Sequence, residues 1–198
     1  RPDSVLDAGC GTGLTSRLFA EKGIAVTGID MSADMVRLAA ESQRQAGLDG
    51  EFHTTSFESM PKSFERRFDL VVCLANSISG VATDRLLNRT LRSFRRVLRL
   101  GGWLVVQTLN PALIKRGDTF AVRVTRHSDL VYHRYATRPD DRLFLHVIRT
   151  DLAATPPTFE AFVHSYRLLH STQFRAKLRE AGFSGVKNFP SLLMDESP

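Results

Sequence analysis

The sequence predicts an α/β protein built on a doubly wound, mostly parallel sheet with an inserted antiparallel β segment. Three observations lead there. Short apolar runs alternate with stretches of helical period over the first half of the chain, the grammar of β-α-β units. Residues 68–74 are almost wholly apolar, as a strand covered on both faces must be. Beyond Pro111 the apolar period falls to two, so antiparallel strands follow the main sheet.

Taken in order, Val5 and Leu6 close a first strand, and Gly9, Gly11 and Gly13 turn the backbone where a ligand can approach without Cβ atoms in the way. A helix opens at Leu14, with Leu14, Leu18 and Phe19 on its apolar face and Gly23 just past its end. A second strand over 24–29 runs into Asp30. Ser32 is placed to cap a helix that turns Met35, Leu38, Ala39 and Ala46 inward and stops at Gly47. Strands are expected at 51–55 and 68–74. Leu87, Leu91, Phe94 and Leu98 then recur at helical spacing, with arginines opposite; Gly101 and Gly102 end that helix, and 103–109 forms a fifth strand. Period-two runs occupy 120–125, 130–137, 142–150 and 159–168, with Asp140-Asp141 as a turn. A helix at 172–181 and a strand at 185–189 complete the reading. One domain is expected over 1–198, with the antiparallel strands of 111–168 partly an insertion over the carboxyl edge of the main sheet, where parallel sheets hold ligands.

The glycine spacing selects among cofactors. A dinucleotide fingerprint has its third glycine where this chain has Leu14, and no Lys-Ser or Lys-Thr pair follows, as a nucleotide P-loop requires. Asp7 works against a pyrophosphate at the electropositive start of the helix. It suits a ligand with an ammonium, a sulfonium and no phosphate, which describes S-adenosylmethionine. Asp30 stands where an acidic residue accepts from ribose hydroxyls. Gly9 and Gly11 then lie against the methionine part, Asp7 holds the ammonium directly or through water, Met31 lies on an adenine face, and the Leu74 carbonyl faces the ammonium.

The segment Leu6-Asp7-Ala8-Gly9-Cys10-Gly11-Thr12-Gly13 resembles motif I of the class I S-adenosylmethionine-dependent methyltransferases, and Gly28-Ile29-Asp30-Met31-Ser32 resembles the acidic end of their second strand. Residues 68–74, 98–104 and 178–183 fit, in order, their fourth strand, the approach to their fifth, and the last helix before a terminal hairpin. The resemblance implies a Rossmann-like fold and places Ser56 and Phe57 beside the adenine amino edge. Relatives carry one or two helices ahead of motif I that cover the cofactor; this sequence opens almost on the first strand, so that cover is expected to be missing from it. The stretch Cys73-Leu74-Ala75-Asn76-Ser77 resembles that of the glycine and sarcosine N-methyltransferases and their small-molecule relatives, as does Gln107-Thr108-Leu109-Asn110. By that resemblance Asn76 and Asn110 face the methyl-transfer cavity.

Methyl transfer needs a base only for a hydroxyl nucleophile, since an amine can arrive neutral. Among His127, His133, His146, His164 and His170, His133 is the first candidate. Tyr132, Tyr166 and Arg134 are candidates to line the cavity, Arg134 by pairing with a substrate carboxylate.

Composition bounds the partners. The chain has no run approaching the roughly 18 apolar residues of a membrane helix and no signal-peptide layout, so a cytoplasmic protein with no membrane partner is expected. Cys10 and Cys73 lack metal-ligand spacing, so no metal is expected. A net charge of +6 permits nucleic acid without favouring it, because the arginines lack interleaved aromatics. The expected partner is a small molecule methylated on N or O. RNA or protein methylation, and a non-catalytic cofactor-binding module, are the alternatives.

Overall fold

The structure, a computed structural model, describes residues 1–189. It divides into two compact units: the first holds Arg1–Val72, Asp84–Leu104 and the segment from His170, and the second Cys73–Thr83 and Val105–Leu169.

The first unit carries β1 (Ser4–Ala8), α1 (Leu14–Ala20), β2 (Ala25–Asp30), α2 (Ala33–Gln45), β3 (Glu51–Thr54), β4 (Phe68–Cys73), α3 (Asp84–Val97), β5 (Leu98–Val106) and α4 (Ser171–Glu180). β4 and β5 lead on into the second unit. The five strands form one parallel sheet in the order β3-β2-β1-β4-β5. β1 pairs in parallel with β2, from Ser4 opposite Ala25 to Ala8 opposite Ile29, and with β4, from Val5 opposite Leu70 to Asp7 opposite Val72. After β3 the chain crosses to the other side of β1, so β1 lies at the switch point where a doubly wound sheet opens a crevice at its carboxyl edge. The core is made by Val5, Leu6, Ala8, Ile29 and Val71 from these central strands and by Leu87, Leu91, Phe94 and Val97 of α3, all buried. Arg96 donates to the carbonyls of Met60 and Pro61, and Lys177 pairs with Asp84 at 3.0 Å, tying α4 to α3.

Four expectations are corrected here. Leu14 and Leu18 do not face inward; α1 buries Ser16, and Leu14 is 73% exposed. In α2 the buried residues are Ala39 and Gln43, while Met35 and Leu38 are exposed. The reason is spacing. A Cβ on Gly13 would stand 3.0 Å from that of Ala39, so the two helices approach through their smallest residues and the large ones are turned out. β5 does not wait for a glycine turn but runs on from α3 at Leu98. A Cβ at Gly102 would lie 3.1 Å from the Asp69 carbonyl, so this glycine serves close strand approach. Residues 185–189, expected as a strand, are irregular, with Gly185 at φ 61°; the rest of the expected terminal hairpin lies outside the described residues.

The second unit is a meander of β6 (Thr119–His127), β7 (Leu130–Thr137), β8 (Arg142–Asp151) and β9 (Thr158–Arg167), antiparallel in that order. A register shift between Ala121 and Arg123 bulges β6. Asp140 accepts from the Arg142 amide in the β7–β8 turn. A small core of Ile114, Ala136, Leu143 and Leu168, joined by Leu109 and Tyr166, packs one end of the sheet. Arg138 braces it by donating to the carbonyls of Pro111 and Ile114.

Candidate functional site

In the first unit the site is built on the loop between β1 and α1. Gly9, Gly11 and Gly13 all have left-handed backbones, with φ of 81°, 54° and 85°, a region that costs side chains roughly 1–2 kcal/mol. The Gly9 and Cys10 amides both donate to the Ile29 carbonyl, at 2.8 and 3.0 Å, which folds the loop over the end of β2.

Gly13 is the N-cap of α1 and has no side-chain oxygen to offer. Asp7 supplies it instead, from β1. Its carboxylate accepts from the hydroxyl of Ser16 at 2.7 Å and from the Ser16 backbone amide, the bond a capping side chain ordinarily makes. Asp7 is only 2% exposed. Burial pushes its pKa up to about 6; the Ser16 hydrogen bonds pull the other way and the Asp30 charge adds to the rise. Burial, helped by the charges of Asp7 and Asp30, also pushes the Cys10 thiol up to about 12, so it stays a neutral filler.

Asp30 joins three strands' ends. One carboxylate oxygen accepts from the Gly11 amide and the other from the Ser32 amide, each at 3.0 Å, and its carbonyl accepts from the Thr55 amide at 2.9 Å. A carboxylate has about four acceptor positions, so two remain for a ligand. Met31 is 76% exposed beside it. Ser56 and Phe57 follow β3; both are half-buried, and the Phe57 ring lies 5.4 Å from that of Phe94, in contact with α3.

These residues fit S-adenosylmethionine. A Cβ on Gly11 would meet nothing within 4 Å, so the loop has open space against it. The Asp30 carboxylate beside Gly11, with that of Asp7 buried in β1, suits a cation, and Met31 offers an apolar surface to a base.

The second unit holds the other expected residues. Leu74 follows β4, and its carbonyl accepts from both the amide and the hydroxyl of Ser77, at 3.1 and 2.8 Å. Both lone pairs are engaged, so an ammonium would have to displace one donor. Ala75 and Asn76 have φ of 50° and 65°, conformations that cost of order 1–3 kcal/mol each. Asn110 spends its side-chain oxygen on the Ala112 amide, at 3.1 Å. Tyr132 and Arg134 lie on one face of β7: the guanidinium stacks 5.3 Å from the Tyr132 ring centre and donates to the Thr125 hydroxyl at 2.8 Å. Strand alternation sends His133 to the opposite face, where it is exposed between Val124 and Ile148. The three residues do not form one constellation. On that opposite face Tyr135 stacks on His146, whose ring nitrogen lies 2.9 Å from the Thr137 hydroxyl. Among the described residues no group of His, Cys, Asp or Glu could hold a metal.

Ser16 was not singled out by the sequence, and Gln107 entered only as the first residue of a segment carrying the family resemblance. A glycine at the N-cap leaves a helix without its own capping oxygen, and that is the signal that could have led to Asp7 and Ser16. Gln107, whose side-chain oxygen accepts from the Ala75 amide at 2.9 Å, stands out only as a polar residue ending an apolar strand.

Residues 5–102 match the family described as methyltransferase domain. The ubiquinone biosynthesis O-methyltransferase of Pseudomonas entomophila is 32% identical over 106 residues, 54% of this chain and 44% of that protein; the chain spans less than half the length of the curated relatives it matches. A sugar N-methyltransferase from a Streptoalloteichus species superposes with a TM-score of 0.76 at 25% identity, covering 91% of this chain and 72% of that one. An amino pentose methyltransferase from Micromonospora echinaspora, solved with S-adenosylmethionine bound, superposes with a TM-score of 0.75 at 22% identity, covering 91% and 75%. Among the described residues no helix is long and apolar enough to cross a membrane. The chain therefore has the fold of the class I S-adenosylmethionine-dependent methyltransferases, its residues 5–102 match a methyltransferase domain, and S-adenosylmethionine is the cofactor that this match and the fold imply.

Proposed function

We propose that this protein transfers a methyl group from S-adenosylmethionine to an N or O atom of a small molecule, with an amine as the favoured acceptor. The observation that carries the reading is the Asp30 carboxylate, which ties the glycine loop to the end of β2 and keeps two acceptor positions for a ribose. When bound, the cofactor supplies a methyl carbon activated by an adjacent sulfonium. The remaining work falls to this chain. Gly9 and Gly11 admit the methionine part, Met31 and Phe57 offer apolar contact to the base, and Ser56 lies at its edge. Asp7, capping α1 from below, contributes charge toward the ammonium. The acceptor's lone pair would have to be held in line with the methyl–sulfur bond and away from water, so orientation and exclusion of water are the protein's chief contributions.

The preference for an amine rests on the histidines. His133 is exposed and His146 is occupied by Tyr135 and Thr137. A neutral amine needs no base, and its proton leaves to water after transfer. The glycine and sarcosine N-methyltransferase resemblance, together with the sugar N-methyltransferase likeness, supports the same choice. Asn76, Asn110, Tyr132 and Arg134 are the residues we assign to the acceptor side. The two buried free cysteines support a reducing, cytoplasmic setting.

The test is turnover with methyl-labelled S-adenosylmethionine against a panel of amino sugars, small amines and phenols. Labelled product from amines supports the reading; product from phenols alone would replace the amine by a hydroxyl. Cofactor binding without turnover on any acceptor, including RNA and protein, would leave a non-catalytic cofactor-binding module.

A further inference from the structure

The turn after β4 holds two non-glycine residues in the left-handed region, and one side chain from far along the chain secures it. Asn tolerates that region because its carboxamide bonds locally, but Ala75 has nothing to bond with. Asn76 is also the N-cap of the 3-10 turn Ser77–Gly80, yet its side chain caps nothing there. An N-cap Asn ordinarily gives its amide oxygen to a backbone N–H. Here the carboxamide is left for something other than local structure.

The turn is fastened from three directions. The Leu74 carbonyl accepts from Ser77, the Asn76 carbonyl accepts from the Ser79 amide at 2.9 Å, and the Ala75 amide donates to Gln107 Oε1 at 2.9 Å. The first two bonds are local. The third comes from 32 residues away, and Gln107 is itself fixed by its amide, which donates to the Cys73 carbonyl at 3.0 Å.

We propose that Gln107 is a positioning residue, whose amide oxygen holds the Ala75–Asn76 turn left-handed and so keeps the Asn76 carboxamide where it orients the substrate's nucleophile. A neutral amine can donate one N–H to Asn76 Oδ1 and keep its lone pair free. The inference rests on the methyl-transfer reading above.

Three variants test it, with S-adenosylmethionine affinity, kcat and amide hydrogen exchange at Ala75 as readouts. Gln107→Met removes the acceptor and keeps the volume; kcat falls about ten- to a hundredfold, the scale of a small misplacement of reacting groups, Ala75 exchange accelerates, and cofactor affinity changes less than about twofold. Gln107→Glu keeps an acceptor oxygen and recovers most of the loss. Ala75→Gly added to Gln107→Met also recovers kcat, because glycine holds positive φ without help. Unchanged kcat in Gln107→Met overturns the inference, as does a glycine double variant that regains stability but not kcat. An Ala75 amide that is unprotected in the wild type overturns it as well. A wild type with a protected Ala75 amide and no turnover overturns the methyl-transfer reading itself, and the positioning role with it.

Discussion

β1 in the first unit is buried along almost its whole length, whereas β9 in the second is exposed over its first seven residues. β1 pairs on both sides and β9, at the edge of its sheet, only with β8, and their side chains answer to different constraints. In β1 and its neighbours each residue meets a neighbour on both faces, so size and polarity are fixed position by position. In the second sheet only the end near Ala136 and Leu143 is packed, and the remaining residues satisfy little beyond the alternation. The comparison teaches that the glycine loop stands on an unforgiving base and that the residues we propose for the acceptor side stand on a tolerant one.

The largest test of that difference is pH. The folded protein keeps the Asp7 proton up to about pH 6, while the unfolded chain releases it near 3.8. The group's contribution is therefore greatest below 3.8 and is lost as pH rises to about 6, by about 3 kcal/mol. Urea unfolding across this range, compared with Asp7→Asn, should show a falling difference; parallel curves would mean Asp7 ionises normally. Saturating S-adenosylmethionine, a cation, should flatten the slope. Next comes Asp30→Ala, which removes the carboxylate bonds to Gly11 and Ser32 and those left for the ribose. Calorimetry should show cofactor binding weaker by about 1.5–3 kcal/mol, and an unchanged affinity would reject the site. Gly28→Ala comes third. A Cβ there would stand 2.5 Å from the Phe52 ring and 3.1 Å from the Cys10 sulfur, so a loss of about 2 kcal/mol is expected by chemical denaturation. Phe159→Ser, on the exposed part of β9, should change stability by less than about 0.5 kcal/mol; a loss comparable to that of Gly28→Ala would dissolve the contrast.

The same contrast explains what was legible in the sequence. The glycine loop, Asp30, the Ser32 cap and the four antiparallel strands could be read because each is a local signal with one structural meaning. The helix faces could not. Period alone marks Leu14, Leu18, Met35 and Leu38 as a stripe, but it does not say that Gly13 and Ala39 bring the helices too close for them. Gly101 and Gly102 read as a stop because a glycine pair ends helices more often than it lets strands approach. Spatial neighbours in the second unit were least legible. His133 sits between Tyr132 and Arg134 in sequence and across the sheet from both in space, and the bond from Gln107 to Ala75 joins segments that no local pattern links.

The packing of the second sheet at one end has a mechanical consequence. Arg138 and the cluster around Ile114 clamp its base, while the turns at Ser128 and beyond Asp151 lie at the far tip. Such a sheet behaves as a cantilever, in which opening starts at the tip and travels toward the clamp. Backbone amides near Leu130 and Asp151 should therefore exchange with solvent first and those near Ala136 and Leu143 last, a graded order that makes the tip, and not the clamped base, the part of the sheet that yields first under load.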